Sequence, residues 1–150
     1  MSRPKVVASR IDDGLVVDSS IALAWCFADE QDEYSQSVLD AMTTKSIYVP
    51  DLWHLEVANT LLVGERRKRC TQMDNVIWLR FLSELPITVD EETKTHAFAE
   101  TTHLARLHNL SVYDAAYLEL AMRRGLSLAT HDEKLKVAAK AVGVILYGLK

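Results

Sequence analysis

Short apolar runs alternate with longer helical patterns along most of the chain. The apolar runs are typical of strands and cover 15–18, 46–49, 87–89, 126–129 and 144–147. Strands that are connected by helices run parallel to one another and carry helices on both faces of their sheet. The alternation therefore predicts an α/β fold, a three-layer α/β/α sandwich around a central, mainly parallel sheet of four to five strands.

Helices are predicted between these runs, and turn-forming residues mark several of their ends. They cover 19–27, 32–44, 52–69, 71–85, 91–108, 111–124 and 132–141. Asp51 is a candidate N-cap for the third helix, Pro86 stops the fourth, and Gly125 ends the sixth. The 150 residues contain no linker or repeat, so we expect a single domain over 1–150 with a flexible leader at 1–13.

Composition and charge narrow the class of protein. Apolar residues make up 49% of the chain and charged residues 25%, as in soluble globular proteins. We find neither a secretory signal pattern nor an apolar run near the ~20 residues that span a bilayer, so a cytoplasmic protein is expected. The net charge of −4 argues against a protein that coats nucleic acid through bulk positive charge, but it leaves a nuclease open.

Four carboxylates occupy positions that need an explanation. Asp18 ends the first apolar run, Glu56 interrupts an apolar helical stretch, Asp114 lies in the first turn of a helix, and Asp132 follows a strand. Capping would account for Asp114 and Asp132, and Glu56 could be a rim residue that reaches solvent or pairs with an arginine. Asp18 has the weakest structural alternative, because the serines that follow it could cap the next helix.

The joint pattern of the four acids is more informative than any one of them. In a parallel sheet, all four points fall at the edge where the strands end, which is where open α/β sheets bind their ligands. A set of oxygen ligands suits Mg²⁺ or Mn²⁺, whereas zinc prefers cysteine and histidine. The sequence therefore predicts a site for a hard divalent cation.

Four segments in this order resemble the PIN-domain ribonucleases, and most closely the VapC-type toxins of bacterial toxin–antitoxin pairs. They are LVVDSS at 15–20, PDLW leading to EVAN at 50–59, YDAAY at 113–117 and LATHDEKL at 128–135. The similarity runs over 15–147, which is nearly the whole chain. The resemblance implies a single PIN domain and a Mg²⁺-dependent endoribonuclease, with Mn²⁺ as a possible substitute.

The resemblance also implies roles for individual residues. Asp18, Glu56, Asp114 and Asp132 would be the acidic quartet of the family. Ser19 or Ser20, together with Thr130, would supply hydroxyls that orient a carboxylate or a water on the metal. Because Mg²⁺ takes few direct protein ligands, we expect Asp18 and Asp114 to bind it directly, and Glu56 and Asp132 to act through waters or a second ion. Asn59 matches a position that is often asparagine in similar toxins.

Partners follow from the same resemblance. It implies an RNA substrate, a homodimer, and a VapB-type antitoxin whose tail inhibits the site. Basic residues at 66–69 and 123–124 are candidates for RNA contacts, with helix-dipole compensation as an equally good explanation. Trp25, Phe27, Tyr34 and Trp53 are candidates for an antitoxin groove, although core packing is the better explanation for at least two of them.

Two other classes compete with the nuclease hypothesis. A degenerate PIN fold would only bind partners, and the intact acidic set argues against it. A receiver-like signalling module would also place acids at strand ends, with Asp12 and Asp13 as its acid pair. That pair precedes the first strand instead of following it, and no lysine ends a late strand.

Overall fold

A single parallel sheet organises the computed structural model, which describes residues 14–148. Its four strands lie in the order β3-β2-β1-β4, and every neighbouring pair is parallel. The strands are β1 (Gly14–Val17), β2 (Ser46–Pro50), β3 (Ile87–Asp90) and β4 (Ser127–Ala129). This confirms the predicted parallel α/β fold. The predicted leader at 1–13, including Asp12 and Asp13, lies outside the described residues.

Helices connect the strands and cover both faces of the sheet. They are α1 (Ser19–Cys26), a 3₁₀ turn (Ala28–Glu30), α2 (Glu33–Ala41), α3 (Trp53–Arg66), α4 (Gln72–Ser83), α5 (Thr93–His96), a π-helical turn (Ala97–Thr101), α6 (Thr102–His108), α7 (Val112–Arg124) and α8 (Glu133–Ala141). Within residues 14–148, none of the helices combines the length and the apolar character that a membrane crossing requires.

The sheet separates two buried clusters, and β1 contributes to both. Val16 packs with Trp53 and Tyr117 on one face, while Leu15 and Val17 pack on the other with side chains from α1 and α2. Successive side chains of a strand point to opposite faces, so a strand covered on both sides is apolar throughout. The three apolar residues of β1 are fully buried, and the molecule is the predicted α/β/α sandwich.

The last predicted strand is much shorter than expected. Residues 144–147 form only one isolated parallel bridge, between Leu128 and Leu146. Its hydrogen bonds run from the Leu128 N–H to the Ile145 carbonyl and from the Tyr147 N–H to the Leu128 carbonyl, both at 2.9 Å. The partner strand β4 has three residues, because Thr130 turns away toward Asp18. Residues 144–147 therefore have only a three-residue strand beside them with which to pair.

Two further predictions about helices are wrong in detail. Asp51 does not cap α3: Leu52 occupies the N-cap position, without a side-chain capping bond, and the Asp51 N–H instead donates to the Thr93 hydroxyl at 2.9 Å. The single helix predicted over 91–108 is divided into α5, a π-helical turn and α6. At this turn the Thr102 hydroxyl bonds the carbonyl five residues back, at 2.7 Å.

Candidate active site

All four predicted acids lie at the edge of the sheet where the parallel strands end. Asp18 directly follows β1, Glu56 is in the first turn of α3 after β2, and Asp132 links β4 to α8. Helix α7 leads into β4 and so runs antiparallel to the strands, which brings Asp114 in its first turn to the same edge. The negative charges of Glu56 and Asp132 both raise the pKa of Asp114, although burial raises it more.

Two hydroxyl groups hold the carboxylate of Asp18, whose residue is 4% exposed. Oδ1 accepts from the Ser20 hydroxyl at 2.5 Å and from the Ser20 N–H at 3.1 Å, and Oδ2 accepts from the Thr130 hydroxyl at 2.5 Å. Each hydroxyl in turn accepts a backbone N–H, Ser20 from His131 at 3.0 Å and Thr130 from Asp132 at 2.9 Å. Both hydroxyl protons are therefore directed at Asp18.

The ionisation of Asp18 is costly in the metal-free protein. Burial raises its pKa from 3.8 to about 6, against the opposing effect of the hydrogen bonds from Ser20 and Thr130. The negative charge of Asp114 raises the pKa of Asp18 further. The carboxylate thus has well-formed hydrogen bonds and an unfavourable electrostatic environment, which a nearby cation would relieve.

Asp114 has half of a capping box. Its N–H donates to the Ser111 hydroxyl at 3.0 Å, as the capping explanation requires. A complete capping box occurs at the start of α4, where the Asp74 carboxylate accepts the Thr71 N–H at 2.9 Å. In residues 14–148, the Asp114 carboxylate accepts no such bond from the Ser111 N–H. Capping therefore accounts for the serine. Its hydroxyl also lowers the pKa of the Asp114 carboxylate, against the larger effects of burial and of the charges of Asp132 and Glu56.

Capping does occur at two of the other acids. Asp132 is the N-cap of α8 and accepts the Leu135 N–H at 3.0 Å. Asp18 is the N-cap of α1, although the sequence suggested that the following serines would take that role. In each case the capping bond is made by Oδ1, and Oδ2 accepts one hydrogen bond at Asp18, from Thr130, so capping does not exclude a second function.

Glu56 is fixed by a residue that the sequence analysis did not single out. Its Oε1 accepts a hydrogen bond from the hydroxyl of Tyr117 at 2.5 Å, and Tyr117 is 1% exposed. Burial and the charge of Glu56 raise the pKa of the Tyr117 phenol, and the nearby Ser19 hydroxyl offsets part of that effect. The spacing of three residues between Asp114 and Tyr117 on one helix was the available signal.

The serine predictions can now be separated by geometry. Ser20 bonds Asp18 through both its hydroxyl and its N–H, whereas Ser19 lies beside Tyr117. The hydroxyl that orients Asp18 from the start of α1 is therefore that of Ser20. Thr130 holds Asp18 from the opposite side, at the end of β4.

The donor set matches a hard cation in its chemistry. Every candidate ligand is a carboxylate oxygen, and within the described part of the chain none of the four acids forms an ion pair with lysine, arginine or histidine. Over residues 14–148, no three His, Cys, Asp or Glu side chains are arranged to hold one ion directly. Carboxylate oxygens are nevertheless the donors that a hard divalent cation prefers.

Several basic residues proposed to contact RNA have partners inside the protein. The Arg123 guanidinium lies 2.6 Å from Asp90 and 2.7 Å from Glu119. Arg124 stacks over the Tyr48 ring, with its guanidinium carbon 4.4 Å from the ring centroid. These contacts give Arg123 and Arg124 structural roles within the protein, and the RNA role of 123–124 stays a prediction.

The aromatic residues proposed for an antitoxin groove are mostly core residues. Trp53 and Phe27 are 1% and 3% exposed. Trp25 donates its indole N–H to the Ser35 carbonyl at 2.8 Å, and the Tyr34 hydroxyl donates to the Tyr147 carbonyl at 2.8 Å. Core packing, expected for at least two of them, accounts for Trp53 and Phe27, whereas Trp25 and Tyr34 are partly buried and their role in an antitoxin groove stays a prediction.

Comparison with known proteins gives consistent matches. The model of the PIN domain family matches residues 15–141. Ribonuclease VapC3 of Pyrobaculum aerophilum is 32% identical over 126 residues, which cover 81% of this chain and 91% of that protein. The family match at 15–141 includes all four acids described above.

Solved structures share the fold at lower identity. The crystal structure of VapC20 from Mycobacterium tuberculosis, described as a sarcin-ricin loop cleaving toxin, aligns with a TM-score of 0.57 and 17% identity over 83% of this chain and 94% of that chain. VapBC2 from Rickettsia felis, bound to a DNA fragment from its promoter, aligns with a TM-score of 0.61 and 15% identity over 91% and 99%.

Proposed function

The chain belongs to the PIN-domain family, and we propose that it is a Mg²⁺-dependent endoribonuclease of the VapC toxin type. The observation that carries the proposal is the group of carboxylates at the strand ends. Burial, and after it the charges of neighbouring acids, raise the pKa of Asp18 and of Asp114. In residues 14–148 neither carboxylate forms an ion pair, although the charge of Lys134 opposes part of the shift at Asp114. An arrangement that costs stability in this way needs a compensating cation.

In the proposed site, Asp18 and Asp114 hold the metal directly, and Glu56 and Asp132 hold it through waters or a second ion. Mg²⁺ suits this set because it binds carboxylate oxygens and keeps part of its water shell, and Mn²⁺ has similar preferences. When bound, such an ion supplies an activated water and neutralises the charge that develops on the phosphate.

The protein's own residues supply orientation. Ser20 and Thr130 fix both oxygens of Asp18, and Tyr117 fixes one oxygen of Glu56. The remaining oxygen of Glu56 is left to orient a water or to hold its proton during cleavage. The N–H of Asp132 donates to the Thr130 hydroxyl, so the positions of Asp132 and Asp18 are linked through Thr130.

We further propose an antitoxin partner and a homodimer for this chain. The antitoxin is supported by the fold shared with VapBC2 of Rickettsia felis and by the resemblance of the motifs to VapC-type toxins. The homodimer rests on that resemblance alone. Co-purification of the chain with the product of an adjacent small reading frame tests this partner. The mass of the purified chain in solution, measured by sedimentation, tests the homodimer.

The deciding experiment for the activity is a Mg²⁺ titration of RNA cleavage by the purified chain. We expect cleavage to rise with Mg²⁺, to disappear with EDTA, and to be lost in Asp18→Asn. Asp40→Asn is the matched control, because Asp40 is an exposed acid on α2 whose carboxylate bonds only Gln36. Absence of cleavage at every metal concentration, with RNA still bound, would favour the degenerate PIN fold that only binds partners.

A further inference from the structure

A groove adjoins the acidic site on the outer side of Glu56. Its volume is about 460 Å³, which lies within the ~300–1,000 Å³ of typical small-molecule sites. Five of its six lining residues share one face of α3 through three- and four-residue spacings. They are Leu52, Leu55, Glu56, Asn59 and Thr60, and the sixth is Tyr113 from the first turn of α7.

The groove displays an aromatic ring beside the acids. Tyr113 immediately precedes Asp114 and is 65% exposed, and Leu55 is 79% exposed. In residues 14–148, neither the Tyr113 hydroxyl nor the Asn59 amide has a hydrogen-bond partner within the protein. The flat ring of Tyr113 and the unbonded amide of Asn59 therefore line the same groove as Glu56.

We propose that this groove is a nucleobase subsite, which holds the base of a nucleotide next to the scissile phosphate. The inference rests on the proposed ribonuclease function, because the groove and the acidic site share Glu56. A nucleobase is flat, uncharged and hydrogen-bonding, so it matches the Tyr113 ring and the Asn59 amide. The Glu56 carboxylate would repel a phosphate from the same groove.

RNA is the favoured occupant of the groove because its bases are covalently linked to the phosphate that the acids would bind. A phosphate placed at the acids necessarily brings the bases on either side of it within reach of the adjoining groove. Stacking on Tyr113 is tolerant of base identity, whereas an amide such as that of Asn59 distinguishes the edges of different bases. Tyr113 would therefore contribute affinity, and Asn59 would contribute base preference.

The test uses short single-stranded RNA that contains the fluorescent base 2-aminopurine, bound to the Asp18→Asn protein in Mg²⁺ so that cleavage is absent. Stacking on an aromatic ring changes the emission of this base, and we expect the change to disappear with Tyr113→Ala. We expect Tyr113→Ala to weaken RNA binding roughly 5- to 100-fold and Tyr113→Phe to restore it. If Asp18→Asn does not fold, the wild-type protein in EDTA replaces it.

Controls separate the subsite from general effects. Phe98→Ala removes an aromatic side chain that is fully exposed but lies outside the groove, and it should leave both signals unchanged. Asn59→Ala should reduce the difference in affinity among oligo-A, oligo-C and oligo-U while the 2-aminopurine signal remains. A loss of affinity in Phe98→Ala equal to that in Tyr113→Ala would overturn the proposal.

Two further outcomes would also overturn the subsite. Wild-type RNA affinity and emission in Tyr113→Ala would show that no base stacks there, and Mg²⁺-dependent cleavage in the same preparation would leave the proposed function intact. A change in the monomer–dimer equilibrium of Tyr113→Ala, with normal RNA binding at high protein concentration, would assign the groove to a second copy of the chain. If the wild-type protein shows no Mg²⁺-dependent cleavage, the proposed function itself is contradicted.

Discussion

The hydroxyl of Tyr117 donates a 2.5 Å hydrogen bond to Oε1 of Glu56, and the two residues are 61 positions apart in the chain. The bond joins the middle of α7 to the first turn of α3, so it sets the position of one acid relative to the others. Tyr117 is itself buried among core residues, which makes it a rigid support for that acid.

We expect Tyr117→Phe to lower the rate of RNA cleavage on the order of tenfold or more, because partners that orient metal-site carboxylates typically contribute this much. The stability loss should be only about 1 kcal/mol, since Glu56 is partly exposed and water replaces the lost bond. Urea denaturation and a cleavage assay measure the two effects. Tyr113→Phe makes the same chemical change at an exposed position and should leave stability unchanged; equal rates for Tyr117→Phe and wild type would contradict the role of the bond.

The raised pKa of Asp18 predicts how the free energy of unfolding changes with pH. Its folded pKa is about 6 against an ordinary value of 3.8, so the folded protein binds this proton more tightly than the unfolded chain. The stability that Asp18 contributes is therefore fully present below pH 3.8 and is lost as the pH rises through 6. In EDTA, Asp18→Asn should be more stable than wild type at pH 7.5, by up to about 3 kcal/mol.

The measurement is urea denaturation of wild type and Asp18→Asn at a series of pH values, with Asp40→Asn as the matched control. The difference between the variant and wild type should shrink toward zero near pH 4. Mg²⁺ should stabilise wild type and not the variant, because a ligand that binds only the folded state raises its stability. A variant that is less stable than wild type at pH 7.5 would mean that Asp18 is mainly a helix cap.

The sequence was sufficient to predict the parallel sheet and the edge at which the acids meet. Both follow from local signals, namely apolar runs that end in a carboxylate and helices that lead into the next strand. Asp18, Glu56 and Asp132 are each placed by the element next to them, so no long-range contact was needed to bring them to one edge.

The parts that could not be predicted depend on how distant elements pack. Ser20 was not distinguishable from Ser19, because the choice depends on the residues that follow β4. There the Thr130 hydroxyl bonds Asp18 and the His131 N–H bonds the Ser20 hydroxyl. Tyr117 has the pattern of a core residue and is one; only the packing of α7 against α3 reveals its bond to Glu56. The interior partners of Arg123 likewise come from β3 and from α7 itself.

Arg123 is expected to be structural. Its guanidinium bonds Asp90 and Glu119, whose side chains are 2% and 6% exposed. Burial alone would raise the pKa of Asp90, but the hydrogen bond and charge of Arg123 bring it below the ordinary value. Arg123→Met leaves Asp90 buried without a cation and Glu119 with only His96, 4.0 Å away, which should cost about 3–5 kcal/mol of unfolding free energy.

Urea denaturation at several pH values tests this expectation. The loss in Arg123→Met should be largest near neutral pH and should shrink as the pH falls toward ~4, where carboxyl groups become protonated. Arg124→Met removes only the cation–π contact with Tyr48 and should cost about 1 kcal/mol or less. A stable Arg123→Met protein with weakened RNA binding would restore the RNA role that its contacts argue against.

The basic residues at the end of α3 divide into two groups. Arg69 bonds Asp29 at 2.8 Å and Glu30 at 2.6 Å and lies over the Phe27 ring, so it ties the end of α3 to the turn after α1. Arg66, Arg67 and Lys68 make no ion pair within residues 14–148. Arg66 is ten residues beyond Glu56, or about 15 Å along the helix, which an RNA strand lying on α3 would span.

We therefore expect the triple change Arg66→Gln, Arg67→Gln and Lys68→Gln to weaken RNA binding and to flatten its dependence on salt, since each lost phosphate contact lowers the slope. The measurement is RNA affinity between ~50 and 200 mM salt. Lys45→Gln, Arg80→Gln and Arg106→Gln together remove the same charge outside α3 and α8 and serve as the control. An unchanged slope, or an equal change in the control, would mean that these residues only complement the helix dipole.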